Sequence, residues 1–218
     1  MNRKADAIIV GAGVIGSAVA FELAKRGYKT LNIDKLPTSG YGSTSNSCAI
    51  VRAHYSTWDG VAMAYEGFHY WDDWADYLGV DDERGLIKYM KTGSIMFKLQ
   101  GEDHSKKCLS FFEEIGVEHE IWDLDKLKEK MPIYSHDQYD GTTRPDEDDN
   151  FFDKTGKKIE GAVYTPGSGY VSDPQLSSHN LQVATEAKGG EFLFNSEITE
   201  IRQENGKVLG VTLSTGEQ

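Results

Sequence analysis

Ala7-Ile8-Ile9-Val10 is an unbroken apolar run, the pattern of a strand buried on both faces. A glycine-rich turn follows. Ser17 to Arg26 then has helical composition and stops at Gly27, a residue suited to the left-handed position after a helix. Thr30 to Asp34 predicts the next strand, and two parallel strands need such a helical crossover between them. Residues 37–47 are rich in Ser, Thr, Gly and Asn and read as a loop. Val61, Tyr65, Phe68, Trp71, Trp74 and Leu78 recur at steps of three and four, which predicts one amphipathic helix whose aromatic stripe packs into a core.

The pattern then changes several times. Gly93 to Leu99 reads as a strand, Glu102 to Ile115 as a helix stopped by Gly116, and Glu118 to Trp122 as a strand. Asp123 caps a short helix that runs to Met131 and ends before Pro132. Residues 137–158, centred on Asp146-Glu147-Asp148-Asp149, are polar throughout and read as an acidic surface insertion; the spacing does not match a calcium-binding EF-hand loop. Gly161 to Thr165 and Gly169 to Val171 predict strands around a Pro166-Gly167-Ser168 turn. Asp173-Pro174 opens a helix to about Lys188. Glu191 to Phe194 and Glu197 to Gln203 predict strands, and Asn205-Gly206 predicts a type I′ hairpin turn into a last strand ending at Leu213. No internal repeat is visible.

Composition narrows the function classes. The chain has 218 residues, 39% hydrophobic and 27% charged, with a formal net charge of −12. Such values belong to a soluble globular protein with no membrane span. The negative balance argues against nucleic acid as a partner, because phosphate binding needs a surplus of Lys and Arg. Cys48 and Cys108 are too few for a disulfide framework and form no C-x-x-C zinc motif, which fits a reducing, cytoplasmic setting. His54, His69, His104, His119, His136 and His179 show no metal-ligand spacing, so no metal is expected. Arg3 and Lys4 before Ala7–Phe21, with Ala18-Val19-Ala20, imitate a secretory signal. Asp6, the interrupting glycines and the amphipathic continuation through Glu22, Leu23, Lys25 and Arg26 argue against one. No G-x-S-x-G elbow supports hydrolase chemistry.

The turn Gly11-Ala12-Gly13-Val14-Ile15-Gly16 carries the strongest signal. A bare G-x-G-x-x-G is weak evidence, but this one follows a buried strand and opens a helix. Asp34 lies 23 residues after Gly11, near the ~20 expected of an acid that binds a ribose. Gly11 permits the tight turn, Gly13 lets the backbone approach a pyrophosphate, and Gly16 lets the helix pack on the strand. The N–H groups and dipole at the helix start favour phosphate. An acid at this place disfavours NADP and leaves NAD and FAD.

The segment Gly40-Tyr41-Gly42-Ser43-Thr44-Ser45-Asn46-Ser47-Cys48-Ala49-Ile50-Val51-Arg52 separates the two. At this point the chain resembles the FAD-dependent amine oxidoreductases of the D-amino-acid oxidase superfamily, in particular sarcosine oxidases and dimethylglycine dehydrogenases. Those proteins join a G-x-G-x-x-G unit and a strand-ending acid to a Gly-Ser-rich segment that leads to an Arg. Residues 161–174 resemble the family's strand, turn, strand and helix, and Gly189 to Ile201 resembles the strand whose backbone touches adenine, with Ile198 at that position. The likeness is strong over residues 5–55 and 161–201 and weak over 100–160.

The resemblance implies an α/β fold: a Rossmann-like FAD-binding domain with an α+β substrate domain inserted, incomplete at the C-terminus. It divides the chain into 1–80 and 173–218 for the cofactor domain and 81–172 for the substrate domain. It implies that Gly11, Gly13, Val14, Ile15 and Gly16 hold the pyrophosphate, and that Asp34 and Lys35 meet the adenosine ribose. Ser43, Thr44, Ser45, Asn46 and Ser47 would line the ribityl chain and flavin edge. Arg52 would stand near the isoalloxazine ring, where positive charge stabilises reduced flavin. No His stands in the Gly-Ser segment, so the expected FAD is noncovalent. The implied reaction is oxidation of a small secondary or tertiary amine, such as an N-methylated amino acid, by hydride transfer to flavin N5. Alternatives are a flavin-dependent hydroxy-acid or polyol oxidoreductase, or a noncatalytic nucleotide-binding subunit. The 218 residues would then be an N-terminal portion, completed by further polypeptide or a second chain.

Overall fold

The computed structural model describes residues 4–139 and 144–218. Arg3 and positions 140–143 of the expected acidic insertion lie outside the described residues. In chain order the first elements are β1 (Ala7–Val10), α1 (Val14–Lys25), β2 (Thr30–Ile33), β3 (Ile50–Val51), α2 (Trp58–Asp72), α3 (Trp74–Leu78) and β4 (Tyr89–Met90). Then come β5 (Ser94–Leu99), α4 (His104–Ile115), β6 (Glu120–Asp123), α5 (Leu124–Lys130), β7 (Asp137–Tyr139) and β8 (Lys154–Thr165). The last are β9 (Gly169–Val171), α6 (Pro174–Glu186), β10 (Glu191–Leu193), β11 (Ile198–Glu204) and β12 (Lys207–Leu213). The chain divides into two compact units. The first is 1–50, 70–90 and 170–218; the second is 51–69 and 91–169. Residues 51–69 therefore fold with the second unit and 81–90 with the first, whereas the sequence-based division cut at 80 and 172.

The first unit is built on a parallel sheet in the order β1-β2-β10. This is the α/β arrangement expected of a strand–helix–strand start. Strand β2 is central and buried along its length. It contains a buried polar residue, Asn32, whose Nδ2 donates to the Gly16 carbonyl at 3.1 Å, which compensates the burial of the amide nitrogen but not of Oδ1. Small residues on α1, Ser17, Ala20 and Ala24, are buried where α1 packs on α6. The hairpin β11–β12 turns at Asn205 and Gly206, both with positive φ (51° and 75°), as a type I′ turn requires. Its Val211 and Leu213 pack on Leu31 and Ile33 of the sheet.

A buried polar hub also belongs to this unit. The Asp82 carboxylate accepts hydrogen bonds from Asn180 Nδ2 (2.7 Å) and the Arg84 N–H (2.9 Å), and pairs with His179 Nδ1 (2.6 Å). Burial raises the Asp82 pKa, but the Arg84 N–H, His179 and Asn180 outweigh it and hold the carboxyl below its usual range. A depressed folded-state pKa means stability that is fully present above the unfolded-state value and is lost as pH falls through the folded one. We expect the stability of this protein to fall below about pH 4 more steeply than that of Asp82→Asn. Parallel profiles for the two proteins, measured by denaturant midpoint against pH, would remove Asp82 from the acid response.

The second unit contains an antiparallel sheet in the order β5-β8-β6, with β7 on the first half of β8. Helix α4 packs Cys108 and Phe112 into a core with Val61, Phe68, Met96 and Val163. The acidic insertion is not all loop. Asp137–Tyr139 and Lys154–Lys158 form a ladder, and Asp137 makes ion pairs with Lys154 and Lys158 that hold its carboxyl down to about 2. A ladder stabilised by cross-strand charges has no apolar alternation, so its sequence reads as a loop. The aromatic stripe also differs from expectation, because it is two helices broken at Asp73. Asp is a weak helix former. Val61 and Phe68 are buried in the second unit and Trp74 and Leu78 in the first, so the stripe serves two cores.

Candidate cofactor site

Strand β1 ends at Val10, and the chain turns at Gly11, whose φ of 97° is closed to most L-residues. The turn returns to the sheet through the Gly11 N–H, which donates to the Ile33 carbonyl at 2.8 Å. At Gly16 a Cβ would overlap the Gly11 carbonyl oxygen, so this helix can start here only with glycine. Gly13 is the N-cap of α1, with extended backbone and no side chain to cap the helix. The first intrahelical bond runs from the Ser17 N–H to the Gly13 carbonyl. The N–H groups of Val14, Ile15 and Gly16 therefore have no acceptor within the helix. The Val14 N–H donates to Thr44 Oγ1 at 3.1 Å.

Asp34 stands at the end of β2 and organises the turn. Its Oδ2 accepts the Ala12 N–H at 2.7 Å and its Oδ1 accepts the Leu36 N–H at 2.9 Å. A carboxylate has about four acceptor positions, so capacity remains for hydroxyls. The loop from Gly40 to Ser47 is knitted by the Gly40 N–H to the Ala12 carbonyl (2.8 Å) and the Ser45 N–H to the Gly40 carbonyl (2.9 Å).

Together these segments wall an open groove of about 440 Å³. Among the residues expected at the site, Gly13, Val14, Ile15, Asp34, Ser43, Thr44 and Ser47 line it. Gly11 and Gly16 shape the turn. The side chains of Ser45 and Asn46 are engaged within the loop, donating to the Gly42 carbonyl, and Ser45 also to that of Tyr41. Lys35 is exposed beside Asp34. Ile198 does not line this groove; its side chain packs with Leu31, Ile33, Val211 and Leu213. Leu36 and Gly42 line the groove without having been singled out in the sequence. The backbone N–H of Ala12 was also missed, and no side-chain pattern could reveal it. Ile15 is 80% exposed at the first helical turn.

The donor set suits a dinucleotide. Free helix-start N–H groups and a side-chain-free Gly13 match a pyrophosphate. Asp34 matches ribose hydroxyls, and the Ser and Thr hydroxyls match a polar chain or ring edge.

In the second unit, Arg52 is exposed, and its Nη1 donates to the His54 carbonyl at 2.5 Å. Its guanidinium lies 5.2 Å from the centre of the Tyr55 ring. His54 is buried, with its ring stacked on Phe112 at 5.7 Å. Burial, with the nearby charges of Arg52 and His104, pushes its pKa down to about 4, so the ring is neutral at physiological pH. Cys108 is buried near His104, with Sγ and Nε2 3.6 Å apart, but burial raises its pKa and Sγ donates to the Tyr55 carbonyl. This thiol is packed rather than activated. Among the described residues, no group of three or more His, Cys, Asp or Glu is placed to hold a metal. No described helix is long and apolar enough to cross a membrane.

Comparison with known proteins agrees with this geometry. The DAO family, described as FAD dependent oxidoreductase, matches residues 6–218. Glycine oxidase of Geobacillus kaustophilus is 28% identical over 226 residues, covering 99% of this chain and 52% of the relative. Monomeric sarcosine oxidase of Bacillus sp. is 24% identical, covering 91% and 45%. The crystal structure of L-proline dehydrogenase from P. horikoshii superimposes with a TM-score of 0.76 at 20% identity, over 99% of this chain and 50% of that one, a likeness of fold alone. The chain thus spans about half the length of the curated relatives it matches.

Proposed function

Given that the chain belongs to the DAO family of FAD-dependent oxidoreductases, we propose that it forms the FAD-binding part of an enzyme that oxidises a small amine. N-methylated amino acids such as sarcosine or dimethylglycine are the preferred substrates. The observation that carries this reading is the groove at the start of α1, which Gly13, Val14 and Ile15 of the helix start line together with Asp34. The relatives named glycine oxidase and sarcosine oxidase support the substrate class. In this reading the first unit carries the cofactor, the second belongs to the substrate domain, and the location is cytoplasmic.

Noncovalently bound FAD would supply the hydride-accepting group for oxidation at the amine's α C–H. The chain's own residues bind and tune. The N–H groups of Ile15 and Gly16 hold the pyrophosphate in the field of the helix start. Asp34 accepts from the ribose hydroxyls, with Lys35 beside it. Ser43, Thr44 and Ser47 offer hydroxyls along the ribityl chain. Ser45 and Asn46 hold the loop in shape, and the Ile198 backbone borders the adenine. Arg52 supplies a fixed positive charge near the flavin ring.

The test uses the full-length protein. Its purified form should show a flavin spectrum and reduce a dye acceptor with one or more members of an N-methylated amine panel. A hydroxy-acid panel should be inactive. Asp34→Ala should lose flavin on dilution, because each hydrogen bond to a charged acceptor is worth about 1.5–3 kcal/mol and the Ala12 N–H loses its anchor as well. At least about tenfold weaker binding is expected. Flavin retention equal to wild type would remove Asp34 from the site.

A further inference from the structure

We infer that His54 and Thr165 are positioning residues that fix the direction of the Arg52 guanidinium. This deepens the reading above, which assigns Arg52 its role beside the flavin.

An exposed Arg side chain has substantial rotamer entropy to lose before its charge has a defined position. Arg52 meets an acceptor that is itself anchored. Its Nη1 donates to the carbonyl of His54, and the residue carrying that carbonyl is only 7% exposed. His54 Nε2 shares a hydrogen bond with Thr165 Oγ1 at 3.0 Å, and Ser94 Oγ lies 3.5 Å from the same nitrogen. Thr165 is 1% exposed and faces Ser94 across the β5–β8 ladder. Phe112 supports the flat side of the ring. The path from sheet to guanidinium is therefore short: the β5–β8 ladder holds Thr165, Thr165 holds the His54 ring, and the His54 carbonyl holds Arg52. Tyr55 adds a ring face 5.2 Å from the guanidinium.

The charged and titratable groups that act on His54 are Arg52 and His104, and both oppose its protonation along with burial. The ring consequently carries no charge above about pH 5. A neutral ring can anchor the backbone without repelling the guanidinium. Its burial removes it from direct contact with substrate, which separates it from a general base.

Two readouts on the full-length, FAD-loaded protein test this. The first is the rate of phenylglyoxal modification of Arg52, measured by peptide mass spectrometry with exposed Arg84 as internal reference. Thr165→Val removes the hydrogen bond and keeps the shape. It should raise the Arg52 rate about threefold or more, a loss of order RT in holding energy, and leave Arg84 unchanged. Thr165→Ser should restore the wild-type rate. If Thr165→Val does not fold, His54→Phe keeps the Phe112 stack and removes the same bond. An unchanged Arg52 rate in whichever of these variants folds overturns the inference. The second readout is the affinity of the bound flavin for sulfite, which falls when positive charge near the ring is lost. Arg52→Met should weaken it about tenfold, Thr165→Val less, and the double variant no more than Arg52→Met alone. No effect of Arg52→Met would refute the flavin role of Arg52 while the phenylglyoxal result still decides the positioning role. An extra loss in the double variant would show that Thr165 acts by another route and overturn the inference.

Discussion

Gly16→Ala should leave the full-length protein without bound flavin and with a destabilised first unit. A Cβ at this position would overlap the Gly11 carbonyl oxygen and stand 3.0 Å from the Gly11 carbonyl carbon and 3.4 Å from Ile9 Cγ2. The first two of these obstacles are backbone atoms, so no side-chain rotation relieves them. The Gly11 carbonyl cannot retreat freely either, because the Gly11 N–H is tied to Ile33 and Asn32 Nδ2 approaches its oxygen at 3.5 Å. Relief requires α1 to lift from β1, which takes the unspent N–H groups out of the groove. The cost should reach the upper end of the overpacking range, about 3 kcal/mol.

Gly13→Ala is the informative control. Its Cβ would meet Thr44 Oγ1 at 3.1 Å, an atom that can turn away, so unfolding should shift by less than about 1 kcal/mol. The added methyl nevertheless stands on the groove wall, and flavin binding should fall at least about tenfold. Thermal unfolding and flavin content together separate the two variants. A Gly16→Ala protein with wild-type stability and flavin content would contradict the packing described.

Asn180→Asp should destabilise the first unit more than any other single-atom exchange at the Asp82 hub. Asn180 is fully buried and all four of its hydrogen-bonding positions are used. Its Oδ1 accepts from Trp74 Nε1 (3.2 Å) and the Ile87 N–H (3.2 Å). Its Nδ2 donates to Asp82 Oδ2 (2.7 Å) and the Gly85 carbonyl (2.9 Å). Aspartate keeps the shape and the first pair of bonds but turns the second pair into oxygen against oxygen. A carboxylate next to the Asp82 carboxylate, away from water, should cost about 3–5 kcal/mol at pH 7. The deficit should shrink toward pH 5, as two adjacent carboxylates share a proton and one pKa rises. Asn180→Ala leaves polar groups unmet without introducing charge, so its deficit should not depend on pH in this range. Denaturant midpoints at pH 7 and 5 for both variants give the comparison, and equal midpoints for wild type and Asn180→Asp would refute the hub.

The hub shows the limit of reading a chain by its pattern. Asp82, His179 and Asn180 are polar residues in polar stretches, and their sequence neighbourhoods give no sign of burial. They meet only because α6 packs against the segment before β4, bringing together residues almost a hundred positions apart.

The local elements were legible because their signals are local. Four apolar residues predicted β1, Gly13 and Gly16 predicted the turn into α1, and Asn205-Gly206 predicted the hairpin with both residues at positive φ. Backbone sterics at a glycine act within a few residues, so sequence spacing alone located the helix start and the acid that serves it. Tertiary structure decided what each group is free to do. It committed both Asp34 oxygens to backbone N–H groups, engaged Ser45 and Asn46 in their own loop, turned Ile198 into a core, and split the aromatic stripe between two units. It also made the Lys154–Lys158 stretch a strand by giving it Asp137 as a partner. Those outcomes depend on which distant residue occupies the remaining hydrogen-bonding or packing position, and contacts of that kind leave no period in the sequence.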